Sequence, residues 1–245
     1  MGSRFFLITL LPELSFDTAR HMSLEEVWWF LRLNVSSHDM NIVDRLRALD
    51  DLENIRSYLT GQPMTAIGRI PHDLLQEQLE NDECPLPELE EFFRLYPTTK
   101  ERAANAHMLR RYFFKNQPSN LPPFVKQYFQ IEDISRHLMA FLRAEGVGKS
   151  YRMDPEGIGF DIQETKSWPE AFLPLLDIWA SHRRNAKGLE QAVAYWKFTL
   201  IETLAAHSPP FSLDHVLVYL LQLRIVERFN LFVPGSTTNS ESSKH

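Results

Sequence analysis

The chain has 245 residues, of which 44% are hydrophobic and 24% charged, and its formal net charge is −6 at pH 7. This balance is typical of a soluble globular protein, and it disfavours bulk nucleic-acid binding and a polybasic membrane anchor, which both need dense lysine and arginine. The single cysteine, Cys84, excludes an intrachain disulfide and indicates a reducing compartment. No apolar run approaches the roughly 20 residues that span a bilayer, so we expect a cytoplasmic protein without a membrane span.

The first helix signal is a capping box, in which Ser23 precedes Glu26 at the start of an apolar run. That run contains the adjacent residues Trp28 and Trp29. Neighbouring side chains point in different directions around a helix, so one tryptophan is expected in the core and the other at the surface or in a contact.

A second helix is expected to start at Ser36 and to end at Gly61, with a break near Asp50–Asp51. Leu52, Ile55 and Leu59 follow one another at helical spacing and share one face of it. Further helices are predicted at 71–79, 88–95, 99–116, 124–144, 168–183, 187–206 and 212–231. The chain is therefore expected to be all-α, built as multi-helix bundle lobes.

Three prolines and two asparagines between Asn116 and Pro123 predict a loop. We expect this loop to divide an N-terminal helical lobe, residues 1–118, from a C-terminal lobe, residues 119–233. The segment 146–168 is predicted to be a partly mobile loop, and the polar tail 234–245 to be disordered. Six consecutive apolar residues, Val216–Leu221, predict that the last helix is central in its core.

No catalytic, cofactor or metal motif emerges from the sequence. Gly146-Val147-Gly148-Lys149-Ser150 ends like a phosphate loop, but the required first glycine is replaced by Arg143 and a helix precedes it, so a helix-capping loop is favoured. The nine histidines include no pair at metal-binding helical spacing. The acidic cluster between Asp82 and Glu91 is best interpreted as a solvated helix face.

A helix signature gives the chain a resemblance to a known family. Asp51-Leu52-Glu53-Asn54-Ile55-Arg56, followed by Leu59 and Gly61, resembles a recurring signature of the C subunit family of V/A-type ATPases. An alignment that places Ile55 on Leu138 also places Leu59 on Leu142, and the later segment looks like a second copy with His137 in place of the asparagine.

The opening segment, from Phe5 to Asp17, is similar to the start of an uncharacterised bacterial family. That family is found beside V-type ATPase subunits, notably in chlamydiae and spirochaetes. The helix Val216–Asn230 looks like the closing helix of the ATPase C subunit.

The resemblance implies a non-catalytic central-stalk subunit of a V/A-type rotary ATPase. Such a protein couples the rotor shaft to the membrane ion-translocating ring, so the implied partners are the shaft subunits and the ring. It would be peripheral to the membrane through these proteins, and no cofactor is implied. The polar residues of the two matched helices, Asn54, Arg56, Arg136 and Arg143, are the predicted interface residues.

Two other interpretations stay open at the level of sequence. The chain could be a helical adaptor or regulatory protein that uses the same surfaces for a different partner. It could also be an enzyme with a non-standard site in the loop 146–168, built from Lys149, Asp154, Glu156 or Asp161.

Overall fold

A computed structural model describes residues 8–16, 22–64, 68–151 and 161–231. Within these ranges all regular secondary structure is helical and no residue lies in a strand, which confirms the all-α prediction. The described α-helices are α1 Leu24–Asn34, α2 Ser37–Leu59, α3 His72–Glu80, α4 Glu90–Leu95, α5 Thr99–Ala104, α6 Leu109–Lys115, α7 Pro123–Gly146, α8 Pro174–His182, α9 Ala186–Thr203 and α10 Leu213–Leu231. Short 3₁₀ turns lie at Pro87–Leu89, Ala106–Met108, Thr165–Ser167 and Glu170–Phe172.

The first two helices start where the sequence predicts. The Ser23 main-chain N–H donates to the Glu26 carboxylate at 2.7 Å, and the Glu26 N–H donates to Ser23 Oγ at 3.2 Å, which completes the capping box. At α2, Ser36 Oγ accepts a hydrogen bond from the Asp39 N–H at 3.1 Å. Both caps satisfy main-chain donors that the first helical turn leaves without a partner.

The predicted break near Asp50–Asp51 is wrong, because α2 runs without interruption for 23 residues. Two adjacent aspartates disfavour the middle of a helix when they face solvent. Here their exposed fractions are 5% and 0%, and Asp51 accepts a hydrogen bond from outside the helix. Tertiary contacts therefore override the local preference.

Residues 35–129 form one compact unit, which contains α2 to α6 and the first turns of α7. Its core is built around α2, whose buried apolar residues recur every three or four positions and lie on more than one side of the helix. These core residues of α2 are Val43, Leu46, Leu49, Leu52, Ile55 and Leu59. Phe92 of α4 and Phe113 of α6, which are both fully buried, belong to the same unit.

Residues 1–34 and 130–245 form the other unit, in which α1 packs beside α10. The helices α9 and α10 pair extensively, and the Val216–Leu221 stretch of α10 is almost entirely buried, which confirms its predicted core position. Phe16 lies among rings from both helices, with centroid distances of 4.0 Å to Tyr195, 5.0 Å to Phe198 and 4.8 Å to Phe229.

A second cluster of the same unit surrounds α7, where Leu138 and Leu142 pack with residues of the following segment. The buried members of the cluster are Leu138, Met139, Leu142, Ile162, Trp168, Phe172, Leu175 and Leu189. Trp168 Nε1 donates to the Ile162 carbonyl at 2.9 Å, so the end of the predicted loop 146–168 is an ordered part of this core.

The division into units differs from the predicted lobes 1–118 and 119–233, because the segment 1–34 groups with the C-terminal part of the chain. The second division falls inside α7, after the proline-rich loop rather than within it. The predicted disordered tail 234–245, the opening residues Phe5–Leu7 and the loop centre 152–160 lie outside the described residues.

Candidate functional site

A polar face of α2 holds a later segment of the same unit. Arg47, Asp51 and Asn54 follow one another at spacings of four and three, which places them on one side of the helix. Their exposed fractions are 6%, 0% and 1%. The segment 68–72 passes this face, and the Arg47 guanidinium donates to the carbonyl oxygen of Gly68.

Asp51 is the centre of this contact. One carboxylate oxygen, Oδ1, accepts a hydrogen bond from the Ile70 main-chain N–H at 3.0 Å, and Oδ2 lies 3.7 Å from Nε of Arg69. A Cβ atom on Gly68 would stand 2.0 Å from Oδ1. Only glycine therefore allows the main chain to approach the carboxylate this closely.

Burial raises the pKa of the Asp51 carboxyl above its ordinary value. The Ile70 N–H and the charges of Arg69 and Arg47 act in the opposite direction, because they stabilise the ionised form. The Asp51 carboxylate and the segment 68–72 therefore stabilise each other's positions.

Asn54 lies one turn further along α2. Its amide nitrogen is 3.2 Å from Nε2 of His72, the first residue of α3. Asp51 and Asn54 together attach the segment between α2 and α3 to the helix that precedes it.

The second matched helix, α7, has a related arrangement in the other unit. Nδ1 of His137 lies 2.8 Å from the hydroxyl of Tyr151, which follows the end of α7. Nε2 of the same ring lies 3.4 Å from Oδ1 of Asp133, one turn earlier. A polar side chain at the position matched to Asn54 again contacts the segment that follows its helix.

Burial follows the same register in the two helices. Ile55 and Leu138, which are matched in the alignment, are both fully buried. Leu59 and Leu142, one turn later, have exposed fractions of only 7% and 3%. Each helix therefore turns these two positions towards the core of its own unit.

The four predicted interface residues occupy different environments. Asn54 is buried, so in this structure its role is internal and its side chain offers no surface to a partner. Arg56 lies at the surface of α2, with its side chain 44% exposed, and Nε is 3.2 Å from Oε1 of Glu53. Arg136 and Arg143 are both exposed on α7. For Arg56, Arg136 and Arg143, a contact with a partner stays a prediction.

The glycine-rich segment after α7 forms a helix cap. The Gly148 N–H donates to the Glu145 carbonyl at 2.9 Å, and the Lys149 N–H donates to the Ala144 carbonyl at 2.9 Å. Gly148 has a φ of +68°, the left-handed conformation that such caps require. These main-chain groups close the helix, as the capping interpretation predicts.

Of the residues considered for an enzyme site in the loop 146–168, Lys149 and Asp161 are exposed. Asp154 and Glu156 lie outside the described residues. Across the described ranges, no group of three or more His, Cys, Asp or Glu side chains is arranged to hold a metal ion.

Two polar residues of the unit 35–129 are withdrawn from solvent to different degrees: Arg102 is fully buried and Cys84 is partly buried. Burial raises the pKa of the Cys84 thiol to about 11, and Sγ donates to the Leu86 carbonyl at 3.1 Å. The Arg102 guanidinium binds Asp82 and, at 2.7 Å, the Pro97 carbonyl. The thiol stays protonated near neutral pH, so Cys84 is not a reactive thiolate. The contacts of Arg102 attach α5 to the residues that precede it.

On α1, the prediction that the two tryptophans point in different directions is confirmed. Trp28 is 7% exposed and packs inward, whereas Trp29 is 67% exposed. Leu33, one turn after Trp29, is 64% exposed. Outside this pair, the other strongly exposed apolar side chains are dispersed over the described sequence.

Over residues 1–232 the chain matches a protein family described as "Protein of unknown function (DUF2764)". The chain belongs to this family. Two relatives, from Chlamydia muridarum and Chlamydia trachomatis serovar D, are each described as "Uncharacterized protein". They are 25% and 24% identical to the chain, and each alignment covers 91% of it and 92% of the relative.

The chlamydial relatives agree with the bacterial family that the opening segment suggested, but neither they nor the family description names an ATPase subunit. No solved structure matches the chain. None of the helices in the described ranges has the length and apolar character needed to cross a membrane.

The sequence directed attention to α2 and α7, but it did not predict which later residues contact their polar side chains. Ile70 and His72 lie 19 and 18 residues beyond their partners on α2, and the pairing depends on the tertiary structure. The glycine at position 68, shortly before Pro71, was the available signal, since an isolated glycine often marks a close main-chain approach.

Proposed function

We propose that this protein is a non-catalytic central-stalk subunit of a V/A-type rotary ATPase. It would couple the rotor shaft to the membrane ion-translocating ring. In this proposal it works on the cytoplasmic side and is held at the membrane through its protein partners.

The observation that carries the proposal is the repeated arrangement on α2 and α7. Each helix has a buried apolar register at the matched positions, and each uses a polar residue, Asn54 or His137, to hold the segment that follows. Repetition of one helix signature in a helical scaffold is what the resemblance to the ATPase C subunit implies. Closely packed helices also provide the stiffness that torque transmission requires.

The exposed arginines of α7 are the proposed contacts. Arg136 and Arg143 are two helical turns apart, so they lie on the same side of the helix and about 10 Å apart along its axis. Both side chains are exposed. A pair of cations at this spacing suits acidic groups on one face of a partner helix.

Affinity purification of the tagged protein from its native cell in mild detergent, followed by mass spectrometry, tests the proposal. We expect shaft, head and ring subunits of the ATPase in stoichiometric amounts. Recovery of the protein alone would refute the central-stalk role, and recovery of an unrelated protein in stoichiometric amount would support the adaptor alternative instead.

Charge reversal then tests the contact face. The double variant Arg136→Glu, Arg143→Glu is expected to lose the ATPase subunits from the purified complex. Arg94→Glu, which reverses an exposed arginine of α4 outside the matched helices, is the control and is expected to retain them. Equal recovery with both variants would remove the α7 arginines from the proposed interface.

A further inference from the structure

The helix α1 has two apolar sides, and only one of them is used within its own unit. Leu24, Val27, Trp28 and Leu31 face inward, with exposed fractions of at most 7%. Trp29 and Leu33 face outward, and about two thirds of each side chain is accessible to solvent. Large aromatic side chains are costly to leave in water and are enriched at the centres of protein interfaces.

The outward side is held in a fixed position. The capping box of Ser23 and Glu26 closes the first turn of α1, and the Leu24 N–H donates to the Glu227 carboxylate of α10 at 2.6 Å. Burial of Trp28 fixes the rotation of the helix about its own axis. Trp29 and Leu33 are therefore presented by an anchored helix rather than by a loop.

Opposite charges lie on the two sides of Trp29 along α1. Glu25 lies one turn before Trp29, and Arg32 lies two turns after Glu25, so all three share one side of the helix. Glu25 and Arg32 are both exposed, and about 10 Å separates them along the axis. The surface formed by Glu25, Trp29, Arg32 and Leu33 is acidic in its first turn and aromatic in the middle, and it ends with Arg32 beside Leu33.

Such a surface is complementary to a second copy of itself in the opposite orientation. If two copies of α1 lie antiparallel with Trp29 near a two-fold axis, Arg32 of one copy faces the acidic first turn of the other. The two Trp29 side chains then meet in the middle, and Leu33 of each copy lies beside its own Arg32, against the first turn of the other copy. This is the residue pairing of an isologous contact, in which one patch serves both partners.

We propose that the outward side of α1 is a self-association surface, and that its occupant is α1 of a second copy of this chain in antiparallel orientation. This surface lies on α1 alone, and self-association through it does not require the proposed ATPase role. One helix of 11 residues covers less than the roughly 800 Å² per partner of a standard stable interface. The dimer is therefore weak and forms in the micromolar to millimolar range.

Sedimentation equilibrium of the full chain over this concentration range tests the proposal. We expect a reversible monomer–dimer equilibrium for the natural sequence. Leu33→Ser is expected to shift it strongly towards monomer, whereas Leu74→Ser, which changes a 45% exposed leucine of α3, is the matched control and leaves it unchanged. A monomer at every concentration, or equal effects of the two variants, would overturn the proposal.

Charge exchange tests the antiparallel arrangement. Glu25→Arg and Arg32→Glu, each alone, are expected to raise the dissociation constant by about tenfold, because a two-fold contact repeats each repulsion. A mixture of the two variants restores both attractive pairs in the heterodimer and is expected to associate as the natural chain does. Unchanged circular dichroism establishes that each variant is folded, and failure of the mixture to associate would overturn the antiparallel contact.

Discussion

The close approach of Gly68 to Asp51 makes Gly68→Ala the sharpest test of the polar face on α2. The added Cβ would lie 2.0 Å from Oδ1 of Asp51 and 3.1 Å from the Asp51 main-chain nitrogen. The carboxylate would have to move away, and it would then lose its 3.0 Å hydrogen bond from Ile70. Since main-chain atoms also border the site, a small side-chain shift is not enough to make room.

The expected cost combines two effects. Forcing an extra methyl group into a packed site costs about 1–3 kcal/mol, and losing a hydrogen bond to a charged group costs about 1.5–3 kcal/mol. The two overlap because the same displacement causes both, so we expect the free energy of unfolding to fall by roughly 2–4 kcal/mol. Urea unfolding followed by circular dichroism measures this change.

Gly61→Ala is the matched control, because the cost of an added methyl group at Gly61 comes from backbone strain and not from a steric clash. Gly61 has a φ of +69°, and nothing lies within 4 Å of the position that an added Cβ would take. Its replacement is expected to cost about 1–2 kcal/mol through left-handed backbone strain alone. If Gly68→Ala changes the free energy of unfolding by less than Gly61→Ala, the reasoning about the Asp51 contact is refuted.

Three further predictions concern the polar contacts. Burial raises the pKa of Asp51, so this carboxyl binds a proton more readily in the folded chain than in the unfolded chain. Its contribution to the free energy of unfolding therefore rises as the pH falls through the raised pKa and is lost as the pH rises through it. Urea unfolding at several pH values should therefore show that the natural chain gains stability relative to Asp51→Asn as the pH falls; equal pH dependence of the two chains would contradict it. Tyr151→Phe removes the hydroxyl beside His137 and should lower the free energy of unfolding by about 0.5–1.5 kcal/mol, measured by thermal unfolding. In a His137→Phe background the same substitution is expected to have no effect. Ser36→Ala removes the cap of α2 and should cost about 0.5–2 kcal/mol in urea unfolding, whereas Ser36→Asp should retain most of the stability.

The helical architecture was predictable because its signals are local. Capping residues such as Ser23 and Ser36 act within one helical turn, and apolar residues such as Ile55 and Leu59 repeat at the period of the helix. These signals predicted the all-α fold and the starts of the first two helices. They also predicted the burial of the Val216–Leu221 stretch.

The contacts that define the candidate site were not predictable in the same way. Asp51 suggested a break in the helix, and only the return of the chain at Gly68 and Ile70 explains why it is tolerated. Asn54 was selected as a surface residue because it is polar, yet His72 accounts for its burial. A helical pattern shows which residues share a side, but it does not show which later segment will cover that side.

The attachment of α1 to α10 has a consequence for synthesis of the chain on the ribosome. Leu24 and its partner Glu227 are separated by 203 residues, so α1 is made long before the helix that it packs against. At about 5–20 residues per second, the interval is roughly 10–40 s. During that time the inward apolar side of α1 has no α10 to cover it, whereas residues 35–129 are completed as a continuous stretch about halfway through the interval. The nascent chain therefore exposes an apolar N-terminal helix to chaperones for most of its synthesis.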